Sequence, residues 1–169
     1  MKVGFLLGSF DPPHIGHMHM ISTALQELDL VVVVPAMQNP WKERQSTDFE
    51  LRCQMLEDIT KPFGDSVIIQ DLEKDLEPPY YSYKTLEKLK EIYNKDSLFI
   101  ICGHDVYGEM HKWANAKWIF ENFIQFPVSR NIINISSTNI RNKVAEYKEI
   151  YPYTSEGVRT IINNNNLYK

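Results

Sequence analysis

The sequence predicts an α/β fold: a doubly wound, mostly parallel sheet of five or six strands with helices on both faces. Three observations lead there. Short apolar runs rich in β-formers, Val3–Leu7 and Leu30–Val34, read as strands covered on both sides. Stretches with apolar residues at helical spacing lie between such runs, so strand and helix alternate along the chain. Right-handed crossovers between parallel strands then reduce the topologies to a Rossmann-like arrangement.

After the first strand, Ile15–Leu28 carries Ile21, Leu25 and Leu28 at helical spacing and leads into the second strand, which makes a βαβ unit. Asp48–Ile59 reads as a helix with Leu51, Met55 and Ile59 on one face, followed by a short strand at Val67–Ile69. Ser82–Tyr93 is a third amphipathic helix, with Leu86, Leu89 and Tyr93 in register, feeding the strand Leu98–Ile101. Phe123–Phe126 and Ile132–Ile135 read as strands or extended segments. A helical segment begins at about Ser137, and a last helix starts near its N-cap Ser155 with Val158, Ile161 and Ile162 inward. The Asn163–Asn166 run reads as its frayed end.

A chain of 169 residues supports one domain with a real core, here residues 1–169, and is short for two. A hydrophobic fraction of 43% with 24% charged residues excludes a disordered chain. The formal charge of −4 argues against a general nucleic-acid binder, while a local basic pocket can still hold a small anion. Cys53 and Cys102 lack metal-type spacing and sit among apolar residues, as a reduced pair does in a cytoplasmic protein. Neither a signal peptide nor a membrane span fits the start of the chain, since the first apolar run meets Gly8 at once.

The chemistry concentrates in Leu7-Gly8-Ser9-Phe10-Asp11-Pro12-Pro13-His14-Ile15-Gly16-His17, where a strand runs into small residues and then two histidines at a helix start. Amides near Gly8 and Ser9 and at the entering helix can face an anion, and His14 and His17 can add side-chain donors. An ordinary strand-to-helix turn with surface histidines is the plainer alternative. Near the other end, Ser137 and Thr138 open a helix and can bind phosphate through hydroxyls and orphan amides, with Arg141 one turn on. A simple N-cap around Ser136 is the alternative there.

The first segment resembles the signature G-[ST]-F-D-P-x-H-x-G-H, with Gly8, Ser9, Phe10, Asp11, Pro12, His14, Gly16 and His17 matching, and Ile135-Ser136-Ser137-Thr138-Asn139-Ile140-Arg141 resembles the late motif I-S-S-T-x-I-R. Both belong to the nucleotidyltransferases, and the chain is most similar to the bacterial nicotinate (nicotinamide) mononucleotide adenylyltransferases. The ending Val158-Arg159-Thr160-Ile161-Ile162 through Leu167-Tyr168 is similar to that family's C-terminal pattern. The resemblance implies transfer of AMP from ATP to nicotinate mononucleotide or its amide, with pyrophosphate released and Mg²⁺ brought by the triphosphate. No dedicated metal site, nucleic acid or membrane is expected. Phosphopantetheine as acceptor, or a regulator that binds nucleotide without turnover, are the alternatives.

The resemblance also assigns residues. His14, His17 and Arg141 become catalytic, with His17 the transition-state stabiliser. Gly8, Ser9, Phe10, Gly16, Ser136, Ser137 and Thr138 bind ATP together with Lys42, which follows Asn39-Pro40-Trp41 where relatives carry a basic residue after P-P-H. Lys42 could equally be surface charge, and Trp41 departs from the family's usual His. Gly103-His104-Asp105 resembles G-x-D, so Asp105 is expected to bind a ribose or to cap a helix, and Trp113 to stack on the pyridinium or to pack in the core. Tyr81-Ser82-Tyr83-Lys84-Thr85 resembles S-Y-T, with Lys84 in place of the usual threonine. Lys84 beside a nicotinate carboxylate would favour the acid over the amide, or it points into water. Arg52 resembles an arginine of the family's second helix, which an exposed salt bridge also explains. Relatives carry a longer insertion where this chain has Arg130–Ile135, so oligomer contacts built there do not transfer and a homo-oligomer stays open.

Overall fold

The computed structural model describes residues 1–40, 47–129 and 133–169. Five strands make one sheet: β1 (Lys2–Gly8), β2 (Leu30–Pro35), β3 (Val67–Ile69), β4 (Ser97–Gly103) and β5 (Ile124–Val128). Their order is β3-β2-β1-β4-β5 and every pairing is parallel. The chain moves outward from β1 to β3 and then returns to start β4 on the other side of β1. The switch point therefore lies between the carboxyl ends of β1 and β4, where ligands bind in such sheets.

The helices are α1 (Ile15–Ala24), α2 (Phe49–Thr60), α3 (Ser82–Ile92), α4 (His104–Glu109), α5 (Ala116–Asn122), α6 (Ser137–Ala145) and α7 (Glu156–Asn164). Strand side chains alternate between two cores. Leu30, Val32 and Val34 join Phe5, Leu86, Leu89, Ile100 and Ile119 on the α3 and α5 face. Val31 and Val33 join Leu6, Met20, Ile21, Ala24 and Leu56 on the α1 and α2 face. A third cluster lies outside the sheet, where Met55 and Ile59 of α2 meet Ile140 and Val144 of α6 and Val158 and Ile162 of α7.

α2 thus serves two cores, and its contact with α7 is close. Ser155 caps α7 by accepting from Val158 N at 3.1 Å and donates to Asp58 Oδ2 at 2.6 Å. A Cβ on Gly157 would fall 2.2 Å from the Asp58 carboxylate, so a larger residue at that crossing has to displace the carboxylate that Ser155 bonds. Ile162 is fully buried in this cluster. Ile162→Ala is expected to cost about 2–5 kcal/mol, read as a lower urea midpoint with an unchanged slope.

Several expectations shift at their edges. α1 ends at Ala24 and not at Leu28, because Leu25–Leu28 leave in a turn whose amides bond back to Ile21, Thr23 and Ala24. Leu28 still reaches the core from that turn. Residues 133–136 carry no strand, and Ile132 lies outside the described residues, so the described sheet has five strands. Tyr93 falls just beyond α3 and meets Phe5 edge-on at 5.5 Å between ring centres.

Candidate functional site

A cavity of about 540 Å³ opens at the carboxyl ends of β1, β2 and β4. Leu6–Ser9, His17, Glu73, Tyr80–Ser82, Asp105, Glu109 and Trp113 are among the residues that line it. Its volume and its place at the switch point suit a ligand of nucleotide size.

The loop from β1 to α1 sets the histidine end. Ser9 belongs to the cavity lining, and its buried Oγ has no hydrogen-bond partner among the described residues. A buried polar atom without a partner is costly, and a bound anion or sugar would satisfy it. Phe10 takes a left-handed φ of 49° and buries its ring beneath the site, edge-on to His17 at 4.8 Å.

His14 is the N-cap of α1. Its Nδ1 accepts from Gly16 N at 3.1 Å, and His17 Nδ1 accepts from His14 N at 3.1 Å, which closes a reciprocal capping box. The rings stack at 3.8 Å. With both Nδ1 atoms accepting, each imidazole carries its proton on Nε2. Gly16 serves this box directly: a Cβ there would fall 2.9 Å from the His14 ring. Gly16, which the resemblance assigns to ATP binding, has the His14 ring as its close neighbour.

α6 meets the same loop from outside. Ser136 caps it in a second box with Asn139. Ser137 Oγ donates to Pro12 O at 2.8 Å, and Arg141 donates to Asp11 O at 2.8 Å and to Thr138 Oγ1 at 3.0 Å.

Of the residues singled out from sequence, Gly8, Ser9, His17, Gly103, Asp105 and Trp113 line the cavity. His14 and Phe10 pack against the His17 ring; they, Gly16, Ser136, Ser137, Thr138 and Arg141 lie outside the lining, with Ser137 and Arg141 bonded to the Pro12 and Asp11 carbonyls. Lys42 and Trp41 lie outside the described residues. Asp105 is in the first turn of α4 whereas Gly103 occupies the N-cap, which corrects the capping alternative. Lys84 directs Nζ to Glu77 O at 3.5 Å, and Thr85 is fully buried beneath Glu73; neither lines the cavity.

Two residues, Arg52 and Glu73, play parts that the sequence did not give them. Arg52 is not an exposed salt-bridge partner; it is 1% exposed. Its guanidinium donates to Thr47 O, Ser9 O, Ala36 O and Met37 O at 2.6–3.1 Å, tying the loops after β1 and β2 to the start of α2. Burial lowers its pKa, and the Asp11 charge offsets part of that. The family resemblance was the signal available for Arg52.

The second is Glu73, a buried carboxylate that accepts from Thr85 Oγ1 at 2.7 Å and Met37 N at 2.9 Å. Burial raises its pKa above the ordinary 4.5, against those two hydrogen bonds. No local pattern distinguished it from Asp71 and Asp75 nearby. A raised folded value means that its stability contribution is full below the unfolded value and is lost as pH rises through the folded one. Glu73→Gln is therefore expected to flatten that pH-dependent loss relative to wild type, checked by urea unfolding across the acidic range up to neutrality.

Among the described residues no three His, Cys, Asp or Glu side chains gather as a metal cage, and no helix is long and apolar enough to cross a membrane.

A parallel sheet whose switch-point cavity meets a histidine-capped helix defines a nucleotidyltransferase-like α/β protein, and the Cytidylyltransferase-like family model matches residues 5–143. Within that class the chain belongs to the nicotinate-nucleotide adenylyltransferase family. It is 33% identical to a "Probable nicotinate-nucleotide adenylyltransferase" of Flavobacterium johnsoniae, covering 100% of both chains. With a protein of the same name from Coprothermobacter proteolyticus it shares 32%, over 99% of this chain and 95% of the relative. A crystal structure from Vibrio parahaemolyticus carrying that enzyme name superposes with a TM-score of 0.84 at 29% identity, over 99% and 96% of the two chains. The Plasmodium falciparum nicotinic acid mononucleotide adenylyltransferase complexed with NaAD shares the fold, with a TM-score of 0.78 at 18% identity, covering 99% and 97%.

Proposed function

We propose that this chain transfers AMP from ATP to nicotinate mononucleotide, forming the dinucleotide of NAD biosynthesis and releasing pyrophosphate. The observation that carries the reading is one cavity lined by His17, Ser9, Asp105 and Trp113, with the buried Ser9 hydroxyl lacking a hydrogen-bond partner among the described residues. The full-length identity to proteins of that name supports it.

In the reaction an oxygen of the mononucleotide phosphate attacks the α-phosphorus, and the bond to the bridging oxygen of the β-phosphate breaks. The acceptor is already anionic near neutral pH, since its second ionisation lies at about 6. The protein therefore has to align two repelling anions and stabilise the charge that develops. His17 Nε2–H donates to a non-bridging α-phosphate oxygen. His14 holds His17 in place through the capping box. Gly8 and Ser9 receive the triphosphate, and its β and γ oxygens extend past the cavity lining toward Ser136–Thr138 and Arg141 at the start of α6. Asp105 accepts from the mononucleotide ribose, and the Trp113 ring covers the pyridine.

The donor set suits a magnesium ion that arrives on the triphosphate and keeps most of its own waters, because Mg²⁺ sites of this kind use few protein ligands. When bound it neutralises charge on the leaving pyrophosphate. We read residues 1–169 as one domain, since α6 and α7 pack on α2. The buried free cysteines support a cytoplasmic setting.

The test is pyrophosphate release with ATP and Mg²⁺ against a panel of nicotinate mononucleotide, nicotinamide mononucleotide and phosphopantetheine. The acid is expected to be the best acceptor. Inactivity with both pyridine mononucleotides overturns the reading, in favour of another acceptor if phosphopantetheine reacts, or of a regulator if ATP binds without product.

A further inference from the structure

The carbonyls of the loop ahead of the histidine pair are held one after another by side chains from the last third of the chain. Arg141 donates to Asp11 O at 2.8 Å, Ser137 Oγ to Pro12 O at 2.8 Å and Thr154 Oγ1 to Pro13 O at 3.0 Å. Ile15 N donates to Tyr153 O at 2.9 Å. The phenol of Tyr168 donates to Asp11 Oδ1 at 2.5 Å, while Asp11 Oδ2 accepts from Thr47 N at 3.1 Å. Pro12 and Pro13 have no N–H, so this stretch cannot make an amide ladder of its own and takes its position from these donors.

We infer that Thr154 and Tyr168, which lie outside both signature motifs, are positioning residues for His14 and His17, and that the C-terminal segment is thereby part of the catalytic apparatus. Thr154 is 3% exposed, and its hydroxyl bonds the residue that immediately precedes the N-cap histidine. Tyr168 fixes the Asp11 carboxylate from the far end of the chain. Small displacements of a catalytic group are costly, with about 1 Å able to remove about a hundredfold in rate. Loss of either hydroxyl shifts the capping box and with it the direction of His17 Nε2–H. None of these bonds is made to Glu73 or Trp113 directly.

The inference rests on the adenylyl-transfer reading for its kinetic consequence and on geometry alone for its structural one. Thr154→Val, Thr154→Ser and Tyr168→Phe separate the two. Thr154→Val and Tyr168→Phe are expected to lower kcat by about tenfold, with KM for the mononucleotide within about twofold of wild type. Thr154→Ser keeps the hydroxyl and restores kcat to within about twofold. Amide hydrogen exchange in the same proteins is expected to rise about tenfold over His14–His17 and to stay unchanged in α3. Values of kcat within about twofold of wild type for both variants overturn the inference. Unchanged exchange over His14–His17 also does so, as does an equal rise in α3, which marks general destabilisation. If wild type releases no pyrophosphate with either pyridine mononucleotide, the functional reading fails by itself, and the exchange measurement still decides whether these hydroxyls hold the loop.

Discussion

His17→Ala is expected to lower kcat for adenylyl transfer by about 10²–10³ while changing KM for ATP little, because its donor acts on charge that appears at the transition state. The geometry gives the reason for so large an effect. His17 lines the cavity, and its Nδ1 is occupied by the His14 amide, so Nε2–H has a set tautomer and a set direction before substrate arrives. Phe10 supports the ring edge-on and His14 stacks on its face, which leaves the imidazole little freedom. A donor organised in advance needs no reorganisation at the moment of transfer. Steady-state kinetics with saturating acceptor would check this. A rise in KM with kcat unchanged would make His17 a ground-state binding residue instead.

Arg52→Met is expected to destabilise the protein by about 3–5 kcal/mol, because it strips a buried cation from partners that stay buried. Ser9, Ala36, Met37 and Thr47 each lose a carbonyl partner at once, and the buried Asp11 loses its nearby opposite charge. The loops after β1 and β2 would then separate from α2, and Ser9 would leave the cavity wall. Thermal unfolding should fall by about 10 °C for a chain of this size. Arg52→Lys keeps the charge but not the planar fork, so it should recover only part of the loss. A change under about 1 kcal/mol for Arg52→Met would mean that water replaces the lost donors at little cost.

The sheet was legible because its central strands are buried on both sides. Leu30–Val34 is an uninterrupted apolar run, and Val158 with Ile162 repeats at helical spacing. Boundaries were less legible where tertiary contacts override local pattern, as at Leu25–Leu28, which keeps helical spacing yet leaves the helix to reach β2. The histidine loop stood out because glycine, proline and two histidines rarely fall together at a helix start. Its internal wiring did not, since the bonds from Thr154 and Tyr168 span 141 and 157 residues and leave no local trace. Arg52 and Glu73 were hidden for a related reason. A charged side chain within an amphipathic helix or a polar turn looks solvated until the loops that bury it are in place.

Adenylyl transfer by this chain requires one cavity in which His17 meets the reacting phosphorus. The structure of the complex with the product dinucleotide tests that most directly. The α-phosphate, the former link between ATP and its leaving group, should lie within hydrogen-bond distance of His17 Nε2, with the pyridine ring beside Trp113. A dinucleotide bound with its phosphates away from His17 and its pyridine outside the Trp113 end would contradict the account.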